Sequence, residues 1–155
     1  MSQVNKSISE IENEIIEEFS TLGDWLDKYE YIIELGKNLP LIEEAHKTDE
    51  YKVPGCQSRV WLKAFYKNGK VYYKADSDAT ITKGLISLLI RVLSGQTPEQ
   101  IMNAKLEFID KIGMREHLSS TRANGLVSMI SEMKNHACLV NEECRKKRGL
   151  TDKKL

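Results

Sequence analysis

Residues 58–76 read SRVWLKAFYKNGKVYYKAD. Two runs rich in β-branched and aromatic side chains, Ser58–Tyr66 and Lys70–Ala75, flank Lys67-Asn68-Gly69. Asn-Gly between such runs is the strongest short-range signal for a β-hairpin. Lys63, Lys67, Lys70 and Lys74 are spaced so that one face or edge stays wet. A hairpin alone is marginally stable in water, so a third strand or helices must cover it. Tyr51–Val53 is the candidate third strand.

The hairpin is entered through Val53-Pro54-Gly55-Cys56-Gln57-Ser58. Pro54 fixes its own φ and pushes Val53 toward extended geometry, and Gly55 permits angles that other residues avoid. Cys56 is therefore expected at a loop tip or strand entrance, where a bending loop can present a thiol to a partner. The plainer reading is a buried structural cysteine, since free cysteine is among the most buried residue types.

Helices are expected on both sides. Ile8, Ile11, Ile15, Phe19 and Leu22 recur at helical spacing with glutamates on the other faces, which is an amphipathic helix. Gly23 breaks it and Asp24 caps the next, marked by Trp25, Tyr29, Ile32 and Ile33, closed by Gly36 and stopped by Pro40. Residues 41–52 read as an irregular connector. Asp76-Ser77-Asp78-Ala79-Thr80 resembles a helix start whose carboxylates take the free amides of the first turn. The helix from about Ala79 to Ser94 is apolar on most sides and should be deeply buried. Thr97-Pro98-Glu99-Gln100 is a second start, with a capping Thr, Pro in the first turn and a returning Gln. Leu106–Gly113 is ambiguous between helix and irregular chain. Ser119 or Ser120 opens a last helix buried along Leu126, Ile130, Met133, Ala137 and Val140, running to about Arg148. The order helix–helix–hairpin–helices implies an α+β fold, helices against a small antiparallel sheet.

The chain of 155 residues, 41% apolar, suits one domain with a full core. Basic and acidic residues balance at 23 each, so no global field points to nucleic acid or a membrane. The charges are segregated, however: residues 1–50 hold 13 acidic and 4 basic side chains. An acidic first third packing against a basic remainder accounts for this, or else each faces a different partner. Arg145-Lys146-Lys147-Arg148 opposes the dipole at a helix C-terminus, and no aromatic platform accompanies it as a nucleic-acid site would require. The first residues lack a signal-peptide pattern, and the longest apolar run, residues 84–93, is too short to span a bilayer. Three cysteines (56, 138 and 144) form no disulfide framework and fit a reducing compartment, so the cytoplasm is expected.

Chemistry narrows by what each mechanism needs. Cys138 and Cys144 sit about 120° apart on a continuous helix, Cys56 stands alone, and His46, His117 and His136 show no ligand spacing, so no metal site is expected. No Gly-rich phosphate loop follows a strand. A cysteine hydrolase needs a base and an orienting group held near the thiol, and His46 and His117 are candidates that spacing does not place. Sulfur exchange asks only for access and a leaving thiol.

The residues Tyr31-Ile32-Ile33-Glu34-Leu35-Gly36, Leu39-Pro40, Val53 through Trp61, Asp76-Ser77-Asp78-Ala79, Lys83-Gly84-Leu85, His117-Leu118, Arg122 and Gly125-Leu126 resemble, in order and spacing, the SufE-type sulfur-acceptor proteins of iron–sulfur cluster biogenesis. The likeness covers roughly residues 20–135, and the Gly-Cys-Gln-Ser-x-Val-Trp block is its specific part. It implies a three-stranded antiparallel sheet packed against helices, similar to scaffold proteins of the IscU type, in one domain over 1–155 with residues 1–7 and 149–155 frayed. It also implies a sulfurtransferase-like role. The cysteine matching Cys56 takes the outer sulfur of a persulfide on a cysteine desulfurase and passes it to an iron–sulfur scaffold complex, stimulating the desulfurase. Pyridoxal phosphate belongs to that partner, so no cofactor is expected here. A monomer or weak dimer is expected.

The flanking Gly55 and Gln57 belong to the same block. Arg122 matches a family arginine near the cysteine surface that would steer or stabilise a thiolate or persulfide anion, or else sits in a surface ion pair. For His117 a structural hydrogen bond is the safer reading. Asp76 and Asp78 are read as caps, their side of the loop a partner contact. Ala75 stands where the family often has glycine, and Ser120 where it often has proline; both change local stiffness only. The rival readings are an allosteric desulfurase activator with a structural Cys56, and a thiol peroxidase or cysteine hydrolase.

Overall fold

Asn68 and Gly69 both take left-handed backbone angles, φ 52° and 79°, the pair that a two-residue hairpin turn of matching twist requires. In the computed structural model, which describes residues 6–147 and 149, they join β1 (Val60–Lys67) to β2 (Lys70–Ser77). The pairing is antiparallel, with Leu62 opposite Ala75 and Ala64 opposite Tyr73. Val60, Leu62, Ala64, Val71, Tyr73 and Ala75 alternate onto one buried face, as a half-buried sheet demands. On the other face Phe65 and Tyr72 stack with ring centroids 5.5 Å apart.

The expected third strand does not form: the sheet has two strands among the described residues. Residues 51–53 reach it through a single bridge, Lys52 to Trp61, with the Val53 amide donating to the Val60 carbonyl at 2.8 Å. The reason is local. Asp49–Tyr51 is a 3₁₀ turn and Pro54 carries no amide hydrogen, so only two residues are free to pair. The opposite edge is closed similarly, where Ile42 donates to Ala75 and Ala75 to Pro40.

Eight helices surround the hairpin among the described residues: α1 (Ile8–Ser20), α2 (Trp25–Gly36), α3 (Thr80–Leu93), α4 (Pro98–Asn103), the single turns α5 (Phe108–Lys111) and α6 (Met114–His117), α7 (Ser120–Val140) and α8 (Glu142–Lys147). Asp24 caps α2 and the Thr97–Gln100 capping box opens α4, as their sequences require. Ser7 likewise closes a capping box with Glu10; of the residues expected to fray, 1–5 and 150–155 lie outside the described residues. Central α3 buries nine of its 14 residues, each large apolar side chain contributing about 1.5–3 kcal/mol. It lies against β2, α2, α1 and α7.

Gly36 closes α2 as expected, with Lys37 following in right-handed geometry, and it is also where α2 meets α3. A Cβ on Gly84 would fall 2.2 Å from the Ile32 carbonyl oxygen, and one on Gly36 3.0 Å from the Gly84 nitrogen. The two helices approach too closely for any side chain. The segregated charges are resolved by packing. Glu18 of α1 takes both terminal nitrogens of Arg91 at 2.8 and 2.5 Å, and Glu43 takes Lys74 at 2.8 Å.

The final helix is broken where a continuous one was expected. The Asn141 side chain accepts the Cys144 amide at 2.8 Å, starting α8 with a new cap. That bend brings Cys138 and Cys144 together in a disulfide, Cα to Cα 5.4 Å. This overturns the expectation of no disulfide, which rested on three sparse cysteines; the separation of about 120° between Cys138 and Cys144 held only for a continuous helix. In α8, Lys146 and Lys147 pair with Glu142 and Glu143, which fits the helix-end reading of the basic cluster; Arg148 is not among the described residues.

Candidate functional site

The loop carrying Cys56 is pinned at both ends and unpaired between them. Its base is the Val53–Val60 bond. Beyond it, the Asp78 carboxylate accepts the Arg59 amide at 3.0 Å, while the Arg59 carbonyl accepts the Ser77 hydroxyl at 2.8 Å. At the tip Gly55 has φ +84°, and a Cβ there would lie 2.5 Å from the Ser128 hydroxyl oxygen. Both the backbone angle and the approach of α7 require glycine.

Cys56 follows, half-buried, the free cysteine among the described residues. Its sulfur turns inward onto α7, 3.6 Å from the Gly125 carbonyl oxygen. Beside it opens a hollow of about 250 Å³. The loop supplies Cys56, Gln57 and Ser58; α3 supplies Thr82 and Leu85; the start of α7 supplies Ser119, Thr121, Arg122, Gly125 and Met129. The first turn of the 21-residue α7 thus lines the hollow. Arg122 is exposed on the same wall and makes no ion pair among the described residues.

Burial pushes the Cys56 thiol above the ordinary thiol range. Its near partner is a carbonyl, which accepts a proton contact but offers none, so the resting sulfur is an S–H. The arrangement stores a protonated thiol beside a hollow walled in part by Arg122.

The other expected site residues lie elsewhere. Asp76 is no cap: it turns inward between Lys47 at 2.5 Å and Lys83 at 3.3 Å. Burial opposes its ionisation, but hydrogen bonds from Lys47, the Ser77 amide and Lys83 outweigh that and hold it below its usual value. Asp78 clamps the Cys loop at Arg59, and the α3 cap position, Ala79, has no side-chain cap bond. His117 stacks on Trp25 at 4.1 Å, and its carbonyl accepts the Tyr29 hydroxyl. It ties α6 to α2 and is absent from the hollow. No three of His, Cys, Asp and Glu among the described residues come together as a metal would need. Sequence reasoning missed Thr82, Ser119 and Thr121; a threonine on the apolar helix 79–94 was a signal for the first.

Residues 13–137 match the family model described as SufE: Fe-S metabolism associated domain. The chain belongs to the SufE family. A SufE-like protein of Rhizobium meliloti is 42% identical over 130 residues, covering 81% of this chain and 93% of that protein. A SufE-like protein of Synechocystis is 38% identical, covering 79% and 77% of the two chains. SufE-like protein 1, chloroplastic/mitochondrial, of Arabidopsis thaliana is 39% identical over 80% of this chain but only 34% of its own length. The solution structure of a hypothetical protein from Thermus thermophilus shares the fold, with TM-score 0.68 and 21% identity over 82% of this chain and 93% of that one. As a SufE-family member the chain is associated with iron–sulfur metabolism, and no helix among its described residues is long and apolar enough to cross a membrane.

Proposed function

We propose that this SufE-family chain is a sulfur carrier. Cys56 takes the outer sulfur of a persulfide held by a pyridoxal-phosphate cysteine desulfurase and passes it to an iron–sulfur scaffold complex. The observation that carries the reading is the placing of the free cysteine: at the tip of a loop pinned at Val53–Val60 and Arg59–Asp78, against a hollow walled by Arg122 and the start of α7.

The chemistry needs no oxidant. The Cys56 thiolate attacks the outer sulfur of the donor persulfide. The donor's S–S bond breaks and its electron pair leaves on the donor cysteine; a new S–S bond forms on Cys56. The Cys56 proton goes to solvent or to the departing thiolate. At rest burial keeps that proton in place, so the loop must swing outward, where water returns the thiol to its ordinary acidity. The pinned ends let the tip move without unpairing the hairpin. The proposed setting is the cytoplasm, which rests on the need for a reduced Cys56 and no longer on an absence of disulfides.

The test is turnover of a cognate desulfurase with free cysteine under limiting reductant. The wild-type chain should stimulate it and Cys56→Ser should not. Full stimulation by Cys56→Ser would replace the carrier by an allosteric activator.

A further inference from the structure

The long helices α3 and α7 each carry an interior glycine in ordinary helical geometry, at a cost of about 1 kcal/mol relative to alanine. For Gly84 the reason is packing, since a Cβ would meet the Ile32 carbonyl at 2.2 Å. Gly125 has no such reason at rest. A Cβ there would meet nothing nearer than the Cys56 sulfur at 3.6 Å, then the Cα and Cβ of Cys56 at 4.0 Å, all ordinary contacts. What it would occupy is the space beside the sulfur.

A second observation lies on the facing wall of the same hollow. Thr82 is only 7% exposed, and its side chain makes no hydrogen bond among the described residues. Its hydroxyl is nonetheless not sealed in, because the one sealed, unpartnered side-chain polar atom among those residues is His136 Nδ1. It opens onto the hollow that Thr82 lines, where it is free to donate to whatever enters.

We propose that Gly125 and Thr82 form the seat of the second sulfur of a Cys56 persulfide: Gly125 leaves its volume free, and the Thr82 hydroxyl donates a hydrogen bond to it. The assignment rests on the carrier reading above. An S–S bond is about 2.05 Å long, so the outer sulfur must sit immediately beside Sγ, where a Cβ on Gly125 competes for room. The terminal sulfur of a persulfide is a stronger acid than a thiol and carries negative charge, so it prefers a hydroxyl donor to the Gly125 carbonyl that faces the resting S–H. The wall of α7 at Arg122 supplies the countering charge. The seat would hold the sulfur between collection and delivery.

The test loads the purified full chain from glutathione persulfide, with no desulfurase present. It reads sulfane sulfur per chain by cyanolysis, its half-life on the protein, the alkylation rate of the unloaded thiol, and stability in urea. Gly125→Ala should be as stable as wild type or more so and alkylate at the wild-type rate once unfolded in urea, yet hold less than about a tenth of the sulfur. Thr82→Val should load and then lose sulfur about tenfold faster, as expected for a hydrogen bond to a charged group, and Thr82→Ser should restore the lifetime. Wild-type loading and lifetime in Gly125→Ala and Thr82→Val would overturn the seat while leaving the carrier intact. A destabilised Gly125→Ala would mark a packing role and overturn it too. A wild-type chain that takes no sulfur on Cys56 from either donor would overturn the carrier and the seat together.

Discussion

The sulfur of Cys56 lies 3.6 Å from the carbonyl oxygen of Gly125, with the thiol proton between them. A residue on a loop is thereby parked against the second turn of a long helix, and its acidity is set by that parking. Burial raises the pKa, so the native thiol should alkylate with iodoacetamide more slowly than the same thiol in urea, and its rate should still be climbing where an ordinary thiol has levelled off. The linkage has a definite sign. A thiol raised in the folded state favours folding fully below the unfolded pKa of about 8.5, and that contribution is lost as pH rises through the folded value. Wild type should therefore lose stability relative to Cys56→Ala above pH ~8.5. A rate plateau at the unfolded thiol's pKa would show that the sulfur is not parked.

The α2–α3 crossing should be intolerant of a single methyl. Gly84→Ala must push apart helices whose backbones set the contact, costing about 3 kcal/mol. Urea denaturation measures this directly, and a loss below about 0.5 kcal/mol would mean the helices are free to separate.

Asp76 organises the end of the hairpin from inside, with Lys47 and Lys83 on its two oxygens. Asp76→Ala should cost about 2 kcal/mol, because two ammonium groups lose their partner in a half-dry setting. Its pKa is depressed, so its stabilisation is full above the unfolded value of about 3.9 and is lost as pH falls through the folded one. The difference between wild type and Asp76→Asn should shrink below pH ~4. A difference unchanged down to pH 2 would assign the effect to shape alone.

The Cys138–Cys144 bond closes a short loop around the Asn141 break. For so small a loop the chain-entropy account gives about 2 kcal/mol. Alkylation in urea without reductant should label one cysteine per chain, Cys56, and three after reduction. Hydrogen exchange should then show residues 141–147 opening while the hairpin and α3 stay protected. Three reactive thiols before reduction would contradict the bond.

What was legible in the sequence was what neighbours in the chain decide. Asn68-Gly69 specified its own turn, Thr97 and Gln100 their own capping box, and Pro54-Gly55 placed Cys56 on a loop without help from elsewhere. What was not legible depended on partners far away in the chain. Gly36 reads as the helix terminator that it is, but its second role as a contact arises only because Gly84 arrives from α3. Asp76 and Asp78 have the spacing of caps, but Lys47 and the Arg59 amide outcompete the free amides of α3. The third strand failed because pairing by Lys52 and Val53 is stopped on one side by a 3₁₀ turn and on the other by proline. The α7–α8 break was signalled by Asn141-Glu142-Glu143, a cap followed by acidic residues, just where the apolar stripe ends at Val140. Of the site, Cys56, Gly55, Gln57 and Arg122 were readable from the motif; Thr82 was not, because its role needs the hollow that only the fold creates.

The most direct measurement of the carrier account is intact-mass and peptide-level mass spectrometry of the wild-type chain after incubation with a cognate desulfurase, pyridoxal phosphate and free cysteine. The account predicts one added sulfur atom per chain, confined to the peptide containing Cys56, removed by reductant and absent from Cys56→Ser. An unmodified Cys56 under conditions where the desulfurase is fully stimulated would contradict it.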